Sequence, residues 1–202
     1  SPDPTVQRVV PKIVGALDRA VDYTRSVMSY GRAREAPPAR RLLRLRHMAD
    51  DVGEVLGLAL HREIVFDNQV EPALEVDADL DQLSRVLVNL ARNAVQVMES
   101  DSEGALVKRL EISAYREGSV VSIQVTDTGP GVPARVREHL FQPFQASTRK
   151  GGTGLGLAIA AELVRAHGGT IRLSETTPGT VFEITLPDRP VDLAAIRQAA
   201  GR

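Results

Sequence analysis

The chain has 202 residues, a formal net charge of −1 and a pI near 6.4, so its charge gives no reason to expect a nucleic-acid partner or an acidic membrane surface. Aromatic residues make up 3% and tryptophan is absent, which argues against base-stacking platforms, and the absence of cysteine excludes disulfides and thiolate metal sites. No apolar run approaches the ~20 residues of a membrane span, and no signal peptide opens the chain. We therefore expect a cytoplasmic piece of a longer protein, which could itself be anchored in a membrane.

The first predicted element is a long helix over residues 4–33. Apolar residues recur every seven positions along it, with a second seam between them: Val6, Ile13, Ala20 and Val27, then Val10, Leu17 and Thr24. This stripe is typical of a helix in a bundle or coiled coil, although a helix packed on its own domain remains the alternative. Gly31 and the pair Pro37-Pro38 separate the helix from the rest of the chain. We treat residues 1–36 as a separate helical unit.

Short strands and helices alternate further along the chain. Helices are predicted at 47–60, 79–98 and 153–167, and strands at 41–46, 63–66, 73–76, 108–115, 120–126, 171–174 and 181–186. This order predicts an α+β domain over residues 40–187, in which helices cover one face of a mixed sheet. Residues 188–202 are predicted to form a polar tail or a short helix.

Two asparagines mark the helix predicted at 79–98. Asn89 and Asn93, in the segment NLARNA, are four residues apart and share a helical face that is otherwise apolar. Amides on such a face need partners. An amide oxygen is a ligand that Mg²⁺ accepts beside waters and phosphates. On these residues alone, a capping role or a buried hydrogen-bond network is equally open.

An acidic loop follows the strand predicted at 120–126. Asp127 precedes Thr128-Gly129-Pro130-Gly131. A carboxylate at a strand end can accept a hydrogen bond from an exocyclic amine such as that of adenine. Gly129 and Gly131 let the backbone approach a flat ring closely. A tight turn with a solvated aspartate is the alternative.

A glycine-rich segment, GGTGLG at 151–156, leads into the next predicted helix. Backbone N–H groups at a helix start attract phosphate, and glycines expose them. The segment is not a Walker A loop, because no Gly-Lys-Ser/Thr follows, and its glycine spacing is not that of a dinucleotide fingerprint. Arg149 and Lys150, just before it, could neutralise polyphosphate, although a solvated charge pair explains them equally well.

In this order, the segments resemble the sequence boxes of the bacterial sensor histidine kinases. NLARNA resembles the N box, DTGPG the G1 box, LFQPF at 140–144 the F box and GGTGLGLAI at 151–159 the G2 box. TPGT at 177–180, followed by VFEITLP, resembles the last glycine box, and VRAHGG at 164–169 is also typical of the family. The resemblance covers about residues 40–187. The helix at 4–33 resembles the second helix of the dimerisation and histidine-phosphotransfer hairpin.

The resemblance implies a Bergerat-type α/β sandwich with ATP and Mg²⁺ as cofactors. It implies transfer of the γ-phosphoryl group to a histidine and then to an aspartate of a response-regulator receiver domain. It further implies that Asn93 ligates Mg²⁺, that Asp127 reads adenine, and that the chain dimerises through the hairpin, weakly here because one hairpin helix is missing. The other ATP-site residues that it implies are Asn89, Gly129, Gly131, Gly152, Thr153, Gly154, Leu155, Gly156 and Thr180.

Two departures from the family pattern stand out. The phosphoacceptor box, a histidine followed by an acid, is absent, so we expect no catalytic residue in these 202 residues and an acceptor just upstream of Ser1. Gln96 and Val97 replace the basic and aromatic residues frequent after the N box.

Two other functions remain as alternatives. One is a different ATPase of the same superfamily, but such enzymes use a glutamate base where this chain has Asn89, and a neutral amide cannot take a proton. The other is a pseudokinase scaffold that binds a partner without catalysis. The intact Asp127, Asn93 and glycines argue against it.

Overall fold

A computed structural model describes residues 37–101, 107–144, 154–174 and 179–189, together with isolated positions between 7 and 28. These isolated positions are all helical, as the heptad pattern predicts. Their apolar side chains lie exposed, and Leu17 keeps 59% of its surface. At the described positions, therefore, the stripe is not packed against the domain. The exposed members of the stripe are Val10, Ile13 and Leu17, and four other apolar residues are exposed beside them: Val9, Val14, Val21 and Met28.

The domain contains seven strands and four helices within the described residues. The strands are β1 (Arg41–Arg44), β2 (Ile64–Asn68), β3 (Glu75–Ala78), β4 (Lys108–Glu117), β5 (Val120–Asp127), β6 (Thr170–Ser174) and β7 (Thr180–Pro187). The helices are α1 (Leu45–Val55), α2 (Leu80–Ser100), the short α3 (Ala134–Arg137) and α4 (Gly156–Ala166), with a 3-10 turn at Leu58–Leu60. No helix of the described part combines the length and the hydropathy that crossing a bilayer requires.

The strands form two sheets. Five lie in the order β2-β4-β5-β7-β6, and only the β2–β4 pair is parallel. The remaining two, β1 and β3, pair antiparallel in a separate small sheet. The predicted mixed sheet is confirmed, but no pattern in the sequence indicates that β1 and β3 lie outside it. β4 and β5 form the hairpin expected around Gly118, and the pairing of β5 with β7 sets Asp127 opposite Thr180.

The hydrophobic core lies between one face of the large sheet and helices α1, α2 and α4. Alternate residues of β5 and β7 point into it, among them Ile123, Phe182 and Ile184, each at most 1% exposed. α2 contributes the apolar stripe predicted from its 3.6-residue period. Its buried residues are Leu83, Val86, Leu87, Leu90, Ala91, Ala94, Val95 and Met98.

Some element boundaries differ from the sequence prediction. The helix expected at 47–60 begins at Leu45 and ends at Val55, and Gly57, with φ of 65°, divides it from the 3-10 turn. The helix expected from Thr153 begins only at Gly156, and α3 was not predicted. Asp188 and Arg189, assigned to the tail, hydrogen-bond to Ser119 and Asp77, so the ordered contacts of the domain extend past residue 187.

His167 connects the end of α4 to the start of α2 through its two ring nitrogens. Its Nε2 accepts the backbone N–H of Asp79 at 3.0 Å, and its Nδ1 lies 2.8 Å from the Leu163 carbonyl oxygen, to which it donates. Both contacts require the neutral ring. Burial lowers the pKa of His167, as does the charge of Arg40, and this outweighs the opposing effect of the Leu163 hydrogen bond and of the nearby carboxylates of Asp79 and Asp77.

Replacing His167 with glutamine should make the free energy of unfolding depend less on pH below neutrality. A histidine whose folded-state pKa is depressed contributes stability above the unfolded pKa of ~6.5, and this stability is lost as the pH falls through the folded-state value. Glutamine can accept the Asp79 N–H but does not titrate. Urea unfolding between pH 8 and pH 5 should show a smaller loss of stability in His167→Gln than in the parent chain. Parallel profiles would contradict this account.

Candidate functional site

The candidate site begins where β5 and β7 end side by side. Asp127 is the last residue of β5, is 3% exposed, and lies opposite Thr180, which is 5% exposed. Its Oδ1 accepts the backbone N–H of Gly129 at 2.8 Å, and the Thr180 hydroxyl donates a second hydrogen bond to the carboxylate. A carboxylate has about four acceptor positions, so these two donors leave capacity for a ligand donor.

Two glycines enclose this carboxylate so tightly that no side chain fits. A Cβ added at Gly129 would lie 2.8 Å from Asp127 Oδ1 and 3.2 Å from the Val97 side chain. A Cβ added at Gly179, whose φ is 110°, would collide with the Asp127 carbonyl oxygen. The backbone therefore approaches Asp127 from two sides, whereas the close approach to a flat ring predicted for Gly129 stays a prediction. The contribution of Gly179 was not predicted, because this glycine is distant from Asp127 in the chain.

The buried position of Asp127 changes its acidity. Loss of solvent raises the pKa of Asp127 to about 6, and the hydrogen bonds from Gly129 and Thr180 offset only part of this effect. No cation compensates the carboxylate among the groups that shift its pKa. The site therefore holds a carboxylate whose charge lacks solvation, and a hydrogen-bond donor on a ligand would stabilise it.

Asn89 and Asn93 lie on α2, one helical turn apart and both half-buried. Neither side-chain amide hydrogen-bonds to another residue of the part of the chain described, so their polar atoms are available to a ligand. A Cβ added at Gly156 would lie 3.9 Å from the Asn89 amide oxygen. Asn89 therefore faces the first residue of α4.

The beginning of α4 is firmly anchored. Leu155 is fully buried and its carbonyl oxygen accepts the Ile159 N–H at 2.8 Å, which begins the helical hydrogen bonding. Just before it, Gly154 has φ of 65°, and its carbonyl oxygen accepts the Phe144 N–H at 3.2 Å. Phe144 itself has φ of 64°, a conformation uncommon outside glycine. Phe141 packs edge-on against the core residue Phe182, with ring centroids 6.2 Å apart.

The structure thus brings the predicted residues together in two groups. The first is Asp127, Gly129 and Thr180 at the strand ends, and the Gly131 loop touches it because a Cβ at Gly131 would lie 3.1 Å from the Gly179 carbonyl oxygen. The second is Asn89 with Gly156, next to Gly154 and Leu155. Asn93 follows Asn89 on the same helix. Arg149, Lys150, Gly152 and Thr153 lie outside the described residues.

Thr128 is a site residue that the sequence did not single out. Its hydroxyl accepts the Arg109 N–H at 2.9 Å and donates to the Val107 carbonyl oxygen at 3.0 Å, and its own N–H donates to the Arg109 carbonyl oxygen at 3.1 Å. These bonds tie the loop after Asp127 to the beginning of β4. Its only signal in the sequence is its position next to Asp127, because its partners are about twenty residues away.

The sequence matches a family of known proteins. The model of the Histidine kinase-, DNA gyrase B-, and HSP90-like ATPase family matches residues 78–190. The sensory histidine kinase/phosphatase NtrB of Vibrio alginolyticus is 30% identical over 194 residues, which cover 92% of this chain and 54% of that protein. The nitrogen regulation protein NtrY of Azorhizobium caulinodans is 38% identical over 122 residues, 59% of this chain and 15% of that protein. The chain spans about half the length of the NtrB proteins that it matches.

Solved structures show the same architecture. Full-length ShkA in complex with AMPPNP superposes with a TM-score of 0.74 at 25% identity, over 94% of this chain and 40% of that one. The predicted α+β fold, with a mixed sheet and helices on one face, is therefore confirmed.

Replacing Asp127 with asparagine should stabilise the chain when no nucleotide is bound. An acid whose folded-state pKa is raised contributes stability at low pH that is lost as the pH rises through about 6. Asparagine avoids this loss, worth up to about 3 kcal/mol above that pH. It also keeps both hydrogen bonds, because its oxygen accepts from Gly129 and its NH₂ donates to Thr180.

The measurement is urea unfolding at pH 7.5 and at pH 4 without nucleotide. The gain should be present at pH 7.5 and nearly absent at pH 4. The exposed Asp51→Asn is the matched loss of one carboxylate and should change little. An Asp127→Asn variant less stable than the parent at pH 7.5 would show that the carboxylate carries no such penalty.

Proposed function

Because the chain belongs to the Histidine kinase-, DNA gyrase B-, and HSP90-like ATPase family, we propose that it is the ATP-binding catalytic region of a sensor histidine kinase. The observation that carries this proposal is the buried Asp127 carboxylate, which keeps acceptor positions free and packs against the backbone of Gly129, near a helix with two available amides. In this proposal residues 1–36 are the second helix of a phosphotransfer hairpin, residues 40–187 bind ATP, and residues 188–202 are a C-terminal tail.

Asp127 is the proposed adenine reader. The exocyclic amine of adenine donates hydrogen bonds, and the Asp127 carboxylate has acceptor positions left over from Gly129 and Thr180. Guanine carries an oxygen at the corresponding position and would place two acceptors against each other. The glycines at 129 and 179 let the backbone pack directly against Asp127 and so hold this residue in place. The site therefore favours adenine nucleotides over guanine nucleotides.

Asn93 is the proposed ligand of Mg²⁺. Its amide oxygen is a hard donor on a rigid helix, and Mg²⁺ completes its shell with waters and phosphate oxygens rather than with a protein cage. A single amide is therefore sufficient from the protein side. When bound, Mg²⁺ would neutralise charge on the polyphosphate.

The beginning of α4 is the proposed phosphate site. An eleven-residue helix presents unpaired N–H groups at Gly156 and the following residues, next to the Asn89 amide. Gly152 and Thr153 would extend this cradle, and Arg149 and Lys150 would add positive charge. AMPPNP, the ligand of the ShkA complex, is an ATP analogue of the class that such a site would hold.

Asn89 directs the chemistry toward transfer rather than hydrolysis. At neutral pH an amide cannot accept the proton of an attacking water, so the site has no general base at this position. The γ-phosphoryl group would then be transferred to an external nucleophile, which in the proposed function is an imidazole. Positioning and electrostatics, rather than activation of water, are then the task of this domain.

The proposed partners follow from the same assignment. Phosphoryl groups would pass from the histidine to an aspartate of a response-regulator receiver domain. The exposed apolar residues of the N-terminal helix, such as Val10, Ile13 and Leu17, support association with a second copy of the hairpin. We place the chain in the cytoplasm, where its nucleotide is available.

Nucleotide titration tests the site directly. Calorimetry of the 202-residue chain with AMPPNP and Mg²⁺ should show binding that Asp127→Asn removes. The amide of the variant would place a donor against the adenine amine, and a buried mismatch of this kind costs about 3 kcal/mol, or roughly a hundredfold in affinity. Asn93→Ala should weaken Mg²⁺-AMPPNP by about tenfold, or about 1.4 kcal/mol, and leave binding in EDTA unchanged.

Asn68→Ala is the control, because this asparagine hydrogen-bonds to Arg46 and Asp50 near β2 and lies outside the proposed site. Equal affinity for the parent chain and for Asp127→Asn would remove Asp127 from the adenine site. An Asn93→Ala effect that persists in EDTA would remove Asn93 from the metal site.

The 202-residue chain alone should form no phosphohistidine. None of its four histidines is followed by an acid. His167 is buried with both ring nitrogens bonded, and both ring nitrogens of His61 are hydrogen-bonded, to Glu99 and to the backbone of Glu63 and Ile64. Incubation with γ-labelled ATP should leave the chain unlabelled while binding persists. An acid-labile label on His47 or His139, which are exposed, would place the acceptor within this chain.

A further inference from the structure

The segment Pro37–Arg40, which joins the N-terminal helix to the domain, is held by specific bonds at its domain end. The Ala39 N–H donates to Asp79 Oδ2 at 2.8 Å. The Arg40 guanidinium donates to the Asp77 carbonyl oxygen at 2.8 Å, to the His167 carbonyl oxygen at 2.9 Å and to the Pro187 carbonyl oxygen. It also lies 3.4 Å from the Asp77 carboxylate, with only 10% of the Arg40 side chain exposed. One arginine thus joins this segment to β3, β7 and the end of α4.

Asp79 divides its carboxylate between this segment and α2. Oδ1 accepts the Gln82 N–H at 3.0 Å and caps the helix, while Oδ2 accepts from Ala39. Burial raises the pKa of Asp79, but these backbone hydrogen bonds outweigh it and hold the pKa below its usual range. The carboxylate therefore stays ionised at neutral pH, and both of its oxygens accept hydrogen bonds.

His167 joins the third element to the same point. Its ring accepts the Asp79 N–H and donates to Leu163 of α4, so α2 and α4 are bonded to each other where both meet the joining segment. Asp77 completes the surroundings with a bidentate ion pair to Arg189 at 2.9 and 3.0 Å. We call Ala39, Arg40, Asp79 and His167 the junction.

The same two helices meet again at the nucleotide site. α2 runs from Asp79 to Asn89 and Asn93, and α4 begins at Gly156 against Asn89. Each helix has one end in the junction and carries its ligand-facing residues farther along. A shift of α2 against α4 at one place must be accommodated at the other, because packed helices move as rigid bodies.

We propose that Asp79 is a positioning residue that ties the segment Pro37–Arg40 to the nucleotide-binding helices, so that nucleotide occupancy and the hold on this segment are linked. The proposal rests on the proposed function for its ligand. The partner it implies is the chain's own N-terminal helix, whose attachment would tighten when ATP is bound.

Two substitutions remove the hydrogen bond between the Ala39 N–H and the Asp79 carboxylate without changing a residue of the nucleotide site. Asp79→Asn keeps a good helix cap, because asparagine caps as well as aspartate, but offers only one acceptor oxygen. Ala39→Pro removes the backbone N–H that donates to Asp79. The matched controls are Asp81→Asn, which removes an exposed carboxylate in the first turn of α2, and Ala39→Gly, which keeps the N–H.

The measurements are AMPPNP affinity in Mg²⁺ by calorimetry and hydrogen exchange of the Ala39 amide with and without the nucleotide. In the parent chain AMPPNP should slow exchange at Ala39 by about fivefold or more, a coupling typical of linked sites. Asp79→Asn and Ala39→Pro should weaken AMPPNP by a similar factor, because linkage is reciprocal. Both controls should bind within about twofold of the parent.

The possible failures are distinct. Full affinity in Asp79→Asn and Ala39→Pro, with parent binding intact, overturns the linkage and leaves the proposed function standing. Weakened binding in Asp79→Asn but not in Ala39→Pro assigns the effect to the helix cap and also overturns the linkage. Absence of AMPPNP binding in the parent chain overturns both proposals. An equal rate of hydrogen exchange at the Ala39 amide with and without AMPPNP overturns the linkage alone.

Discussion

The packing of α2 on the sheet and beside α4 is the constraint on which the rest of the structure depends. This helix has 21 residues and is therefore about 31 Å long at 1.5 Å per residue. Eight of its residues form the buried stripe, which fixes its rotation about its own axis and so determines where Asn89 and Asn93 point. Its first turn contacts the segment arriving from the N-terminal helix, and its last turns contact the loop after Asp127 through Val97 and Met98.

At Asp127, the stability of the fold and the proposed binding of a ligand place opposite demands on the side chain. The fold encloses Asp127 with glycine backbone and an aliphatic wall, and provides two neutral donors instead of a cation. A neutral side chain would fit the empty domain better. In the proposed function a ligand donor would offset this cost, which is the pattern expected of a residue that serves binding rather than folding.

Sequence reasoning succeeded where chemistry and local pattern coincide. The period of α2, the strand pair around Gly118 and the position of Asp127 at the end of a strand follow from short-range rules, and the structure confirms each of them. It failed where contacts are distant along the chain. No residue near Arg40 indicates that its guanidinium donates to the carbonyl oxygens of His167 and Pro187. These two residues lie 127 and 147 positions farther along the chain.

The separate β1–β3 sheet was missed for a related reason. Weak alternation at 41–46 and a short apolar run at 73–76 predicted the two strands, but neither pattern indicates which strand each one pairs with. Only the tertiary structure shows that the ring of His167 accepts the N–H of Asp79, which lies 88 positions away in the chain. The role of Thr128 likewise depends on partners in another strand.

The hydrogen bond between the Phe144 N–H and the Gly154 carbonyl oxygen has a consequence for how this protein can vary. This bond joins the two residues that flank residues 145–153. The entropy of closing a stretch between joined ends depends only weakly on its length. Doubling such a loop costs about 0.6 kcal/mol. Insertions should therefore be tolerated at residues 145–148, ahead of the proposed phosphate contacts that begin at Arg149, far better than anywhere along α2.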